Sequence, residues 1–226
     1  MIDFLAMQTT YDHLEIGLVH DTEIIDNITE DKKKASSLII LCIEELLKKN
    51  NRSLDDLSFI ATNQGPAPFT SLRVVIATAN GLSFASQLPL VGVDGLLGLF
   101  EEYTSNDWPY TVALLNAFNN DIYFGIQQPH KPIETGYENI EVFISRLSAQ
   151  LETNKIRFIG NGAALFKDHI YKVFEERAFF PEPLPFYVSL KQLAQQAFYK
   201  WQEKKISYQL LPLYLKQLRY KKSISI

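Results

Sequence analysis

Residues 63–93 constrain the fold of this chain more than any other stretch. They read Asn-Gln-Gly-Pro-Ala-Pro-Phe-Thr-Ser-Leu-Arg, then Val-Val-Ile-Ala-Thr-Ala-Asn-Gly-Leu-Ser-Phe, and close on Pro-Leu-Val-Gly-Val. The pattern predicts a buried strand over Phe59–Thr62 and a stiff turn held by Gly65, Pro66 and Pro68. A helix follows over Leu72–Ala85, capped by Thr70 or Ser71. That helix carries Ala77, Ala79, Gly81, Ser83 and Ala85. A glycine inside a helix costs about 1 kcal/mol relative to alanine, and side chains this small let another backbone come close. The helix is expected to be packed against.

The helix predicted over Ala35–Lys49 has the opposite peculiarity. Leu38, Ile39, Ile40, Leu41, Cys42 and Ile43 are consecutive, so its first two turns are apolar all round. Such a helix needs cover on both sides, its own sheet on one and a second helix or another protein on the other. The small-residue helix is its natural neighbour. Whether the pair forms an interface or lies inside one large core stays open on pattern alone.

Around these two helices the chain alternates strands and helices. Strands are expected at Phe4–Gln8, Leu14–Val19, Glu23–Thr29 and Leu90–Val93, and a helix at Gly95–Tyr103. The Asn106–Tyr110 stretch, with its Trp-Pro pair, reads as a boundary between lobes 1–105 and 106–226, the last helix packing back on the first lobe. Beyond it come a hairpin (Thr111–Ala117 and Ile122–Gln127), a loop at Pro129–Gly136 and a helix at Ile140–Leu151. A strand at Arg157–Gly160, a helix at Ala163–Glu176, an irregular Phe179–Pro185 segment and a helix at Ser189–Trp201 complete it. Two lobes that each open on hairpin strands and then alternate with helices indicate a duplicated α/β unit.

Composition narrows the function. A length of 226 residues suffices for a substantial core, and a net charge of −4 argues against a broad self-sufficient nucleic-acid surface. The basic runs Lys32–Lys34 and Lys216–Lys222 read as solvated faces or tails. The single cysteine, Cys42, rules out an internal disulfide and a multi-cysteine zinc site, and its apolar surroundings mark it as a small buried hydrophobe. No basic leader or 18-residue apolar run is present, so the expected compartment is the cytoplasm.

Catalytic patterns are sparse. His13, His20, His130 and His169 are scattered without ligand spacing, and the acidic pairs sit on helix surfaces. Two glycine turns could approach a phosphate: Gly65–Thr70, which lacks the lysine of a P-loop, and Gly160-Asn161-Gly162-Ala163.

At Gly65, Pro66, Phe69, Thr70, Leu72 and Arg73, followed by Ala77, Thr78, Ala79, Gly81, Leu82 and Pro89–Val93, the chain resembles the TsaB (YeaZ) family. That family is the accessory subunit of the bacterial tRNA threonylcarbamoyladenosine machinery. The resemblance continues through Ile43–Leu47, Asp121–Gly125, Ile159–Ala163 and Leu211–Lys216, in the family's order. It implies an actin-like α/β fold (the acetate/sugar kinase–Hsp70–actin class), a duplicated two-lobe arrangement of mixed sheets flanked by helices. It also implies a non-catalytic subunit that dimerises with a TsaD-type catalytic subunit through the first two helices of each protein, a TsaE-type ATPase joining them. tRNA would be met only through the complex, adenosine 37 receives the threonylcarbamoyl group, and no membrane is involved. Self-association through the same helices is the expectation when the partner is absent.

The residues assigned on this basis to the partner interface are Leu38, Leu41, Cys42 and Glu45 of the first helix, with Leu72, Val75, Ile76, Ala79, Asn80 and Ser83 of the second. Gly65, Pro66, Phe69, Thr70 and Arg73 form the signature loop, and Gly160 and Gly162 a candidate nucleotide-proximal turn. No catalytic residue, metal or cofactor is implied. The family's N-terminal strand usually ends Asp-Thr and its second hairpin offers Asp-Ala-Arg, where this chain has Gln8-Thr9 and Asn116-Ala117-Phe118; Ala67, Pro68 and Ser71 also depart from the signature, and Ala35 stands where many members place His. Losing carboxylates argues against independent ATP hydrolysis, because Mg²⁺ relies on anionic oxygens. The competing reading is a stand-alone ATP-dependent small-molecule kinase of the same fold.

Overall fold

The computed structural model describes residues 1–151 and 153–215, so the Lys216–Lys222 run lies outside the described residues. Two five-stranded sheets are each built on the same plan. In the first, β1 (Asp3–Thr9), β2 (His13–His20) and β3 (Glu23–Asp31) form an antiparallel meander, and β4 (Phe59–Asn63) and β5 (Leu90–Val93) add in parallel, in the order β3-β2-β1-β4-β5. In the second, β6 (Thr111–Asn116), β7 (Asp121–Gln127) and β8 (Glu134–Asn139) repeat the meander. There β9 (Ile156–Ile159) and the two-residue β10 (Ala178–Phe179) add in parallel, in the order β10-β9-β6-β7-β8. This repeated mixed-sheet topology flanked by helices is the duplicated actin-like architecture.

Side-chain alternation along β1 explains how the first sheet is covered. Leu5 and Met7 point to one face, where α1 (Ala35–Lys49) and α2 (Phe69–Ser86) lie; Phe4 and Ala6 point to the other. That second face is closed by α7 (Leu190–Gln202), whose Leu193, Ala194 and Ala197 pack on Phe4, Phe59 and Val91. Phe59 lies between Phe4 and Trp201, with ring centroids 4.1 and 4.8 Å away. The second sheet is covered on one face by α4 (Ile140–Gln150), the short α5 (Asn161–Leu165) and α6 (Lys167–Phe174). Its other face meets α3 (Gly95–Tyr103): Leu96, Leu99 and Phe100 pack with Ala113, Leu115 and Ile159, joining the two halves.

Several local expectations need correction. Residues 134–136, expected within a loop, begin β8, an edge strand with no fully buried residue whose weak apolar alternation hid it. The helix expected over Ala163–Glu176 is two helices broken at Phe166, and β10 reaches into the segment expected to be irregular. Neither Thr70 nor Ser71 caps α2; Pro68 takes that position without a side-chain bond, and Ser71 Oγ donates back to the Pro68 carbonyl at 3.2 Å. Among the described residues, no helix is long and apolar enough to cross a membrane.

Candidate functional site

The face that α1 and α2 turn away from their sheet follows from 100° of rotation per residue. On α2, Leu72, Val75, Ile76, Ala79 and Ser83 form the inward stripe. Thr70, Ala77, Gly81, Phe84 and Ala85 point out, Phe84 with 83% of its surface exposed. On α1, Ile39, Cys42, Ile43, Leu46 and Leu47 point in, while Ile40 and Leu41 stand 52% and 57% exposed beside Ser37, Glu44 and Glu45. The apolar run of α1 is therefore half covered by the sheet, and its other half opens to solvent.

This geometry corrects the residue assignment. Cys42, Leu72, Val75, Ile76, Ala79 and Ser83, assigned above to the interface, are interior to the monomer; Ser83 Oγ donates to the Leu88 carbonyl at 2.6 Å. Burial pushes the Cys42 thiol above its ordinary pKa, aided by Glu30 and Glu45. Leu38 is half-buried against the core, whereas Leu41 and Glu45 are exposed. Small residues at alternate positions of a helix cannot share a face. Ala77, Gly81 and Ala85 (i, i+4, i+8) make the outer stripe; Ala79 and Ser83 make the inner one. Ile40, Ala77, Gly81 and Phe84, absent from that assignment, share the outward face, and helical phase alone places them there. A Cβ placed on Gly81 meets nothing within 4 Å, so the monomer has no packing need for that glycine.

The signature loop sits at the N-terminal end of α2. Gly65 has φ +109°, a conformation L side chains rarely adopt, follows Asn63 closely and precedes a cis Pro66. Its N–H donates to Asn63 Oδ1 at 2.8 Å, and its carbonyl accepts from Gly95 N at 2.8 Å, so the loop is fastened to the start of α3. Pro66 is buried, while Phe69 and Thr70 are exposed. The Arg73 guanidinium lies 3.7 Å from the Phe69 ring centroid, and its Nε donates to the Tyr214 hydroxyl at 3.0 Å. Asn80, assigned to the interface, is half-buried and also serves the monomer: its Nδ2 donates to the Leu210 carbonyl at 3.0 Å and its Oδ1 accepts from Leu210 N at 2.9 Å.

Between the two sheets, the position of Gln8 is filled by amides. Gln8 is 1% exposed; its Nε2 donates to Glu15 Oε2 (2.7 Å) and the Val188 carbonyl (3.1 Å), and its Oε1 accepts from Asn63 Nδ2 (3.1 Å). Burial raises the Glu15 carboxyl above its ordinary value, with the Gln8 bond pulling the other way. From the first half of the chain to the second, the Tyr11 hydroxyl donates to the Asn116 carbonyl at 2.6 Å, while Asn116 Oδ1 accepts from Phe118 N at 2.8 Å. A metal–phosphate group takes anionic oxygens. Engaged amides and a single carboxyl already hydrogen-bonded to Gln8 do not fit it, and the described residues contain no metal-holding cluster of His, Cys, Asp or Glu.

The Gly160–Gly162 turn is also accounted for by packing. Gly160 has φ +96°, and a Cβ there would lie 2.2 Å from the Leu114 carbonyl oxygen; one on Gly162 would lie 2.8 Å from the same atom. The N–H groups of Gly160 and Asn161 already donate to the carbonyls of Pro185 and Phe186. These glycines let α5 sit against β6, which gives the pair a structural reason of its own.

A family model described as TsaD, tRNA N6-adenosine threonylcarbamoyltransferase, matches residues 23–210. The chain is 26% identical over 220 residues to the tRNA threonylcarbamoyladenosine biosynthesis protein TsaB of Buchnera aphidicola subsp. Baizongia pistaciae, covering 94% of this chain and 97% of that one. Among solved structures it is similar to YeaZ from Pseudomonas aeruginosa, at 21% identity and a TM-score of 0.69, covering 95% and 100% of the two chains. It is also similar in fold to a candidate N-acetylmannosamine kinase from Listeria monocytogenes, at 13% identity and a TM-score of 0.53, covering 90% and 100%.

Proposed function

This chain belongs to the TsaB (YeaZ) family of the TsaD-like proteins, in tRNA threonylcarbamoyladenosine biosynthesis, and we propose that it acts there as a non-catalytic docking and activating subunit. Its partner in this reading is a TsaD-type threonylcarbamoyltransferase, bound through the outward face of α1 and α2, with a TsaE-type ATPase joining the assembly and tRNA reached through the complex. The observation that carries the reading is Gly81: a helix-interior glycine, flanked on its stripe by Ala77 and Ala85, for which the monomer offers no packing reason. Exposed Ile40, Leu41 and Phe84 beside that stripe supply apolar area for a second helix pair. A stand-alone kinase would need anionic metal ligands where Gln8 and Asn116 stand, and their amides argue against it.

The test is reconstitution with the cognate catalytic subunit. Leu41→Asp leaves the core untouched and is expected to weaken the complex at least tenfold and to lower tRNA modification in parallel, with the lone protein's melting temperature unchanged. Ala79→Arg is unsuitable, because Ala79 is wholly buried and the variant would report on folding. Full affinity in Leu41→Asp would reject the α1/α2 face as the docking surface.

A further inference from the structure

Residues 207–215, beyond α7, form an extended strap that the family reading leaves without a role. Ser207 bridges Leu90 on the open edge of β5 through two backbone bonds of 2.7 and 2.9 Å. Gln64 holds the strap next, its Nε2 donating to the Leu211 carbonyl and its carbonyl accepting from Leu213 N, both at 2.8 Å. Asn80 clasps Leu210, and Arg73 reaches Tyr214 one strap turn further on. Because Asn80 and Arg73 lie two turns apart on one flank of α2, the strap runs antiparallel along that helix, on the side opposite α1.

Its side chains divide sharply. Leu210 is buried in the α1/α2 core at 7% exposure, whereas Tyr208, Leu211 and Tyr214 are 61%, 68% and 51% exposed. All three stand on the solvent side of the strap as an exposed ridge. Tyr214 continues it to Phe69 of the signature loop, with ring centroids 5.8 Å apart. The molecule thus spends three large apolar side chains on solvent beside the face already assigned to a partner.

We propose that this ridge is a third lane of the docking surface, taken by the same catalytic subunit that the α1/α2 face receives. Continuity supports the assignment. The strap is fastened to α2 through Asn80 and Arg73 and meets Phe69 of the signature loop, so a subunit seated on the α1/α2 face borders the three exposed side chains.

This inference rests on the docking reading above, and the experiment separates the two. The full chain carrying Tyr208→Ser and Leu211→Ser is titrated against the purified catalytic subunit by calorimetry, beside wild type and Leu41→Asp, with thermal melts of each. The strap variant is expected to melt as wild type does and to bind at least tenfold more weakly. Wild-type affinity in the strap variant together with weakened Leu41→Asp overturns the third lane and leaves the helix face standing. Wild-type affinity in both overturns the docking reading itself. If the strap variant melts early, Tyr208→Ser alone is used, since Tyr208 stands near the start of the strap with 61% of its surface exposed; unchanged affinity there overturns the lane as well.

Discussion

Replacing Gly81 with alanine should move two measured quantities in opposite senses. In the monomer the added methyl meets nothing within 4 Å, and position 81 lies well inside the 18-residue α2, so only backbone propensity changes. Alanine is favoured over glycine there by about 0.8–1 kcal/mol, which for a chain of this size raises the melting temperature by roughly 2–4 °C. In the complex the same methyl is forced against whatever backbone the small stripe admits. Overpacking a tight contact costs about 1–3 kcal/mol, which corresponds to about 5- to 150-fold in affinity. Differential scanning calorimetry on the lone protein and titration against the catalytic subunit read the two effects separately. A destabilised monomer would refute the claim that the space beside Gly81 is open. A stabilised monomer with undiminished affinity would refute the claim that the glycine is kept for a partner's close approach.

Other outcomes follow from the same contacts. Asn80→Ala removes both bonds to Leu210 and leaves its backbone groups unpaired, so urea unfolding should show a loss of about 1–3 kcal/mol, and hydrogen exchange should quicken at Leu210. Glu15 has a folded-state pKa raised by burial, so its ionisation opposes folding: stability declines as pH rises from the ordinary carboxylate range through the raised value. Glu15→Gln keeps an acceptor for Gln8 Nε2 and should flatten that decline, leaving the protein at least as stable at neutral pH; a steeper decline in the variant would contradict the sign.

Much of the fold was legible because its signals are periodic. Ala35–Lys49, Leu90–Val93 and Gly95–Tyr103 stand where apolar phase, lysines in a last turn and a Pro punctuation mark placed them. What failed had no such signal. β8 is an edge strand with polar and half-buried residues, so two-residue alternation scarcely registers, and the Phe166 break needed knowledge of how α5 abuts β6. Helical phase is what the sequence reading of these two helices lacked. Counting small residues along α2 put Ala79 and Ser83 with Gly81 although they lie on opposite sides. Asn80 shows a different limit, since its partner Leu210 is 130 residues away and no local pattern announces the clasp.

The order in which the chain is made gives α7 a further importance. The first sheet is complete at Val93, but the helix that shields Phe4, Ala6, Phe59, Val91 and Val93 ends at Gln202. At about 5–20 residues per second, the ribosome takes roughly 5–20 s to supply the intervening segment. During that interval the nascent polypeptide carries a bare aromatic and aliphatic plane. Holding chaperones have a defined target there, and synthesis rate through the second half should govern how much of the product reaches its native state.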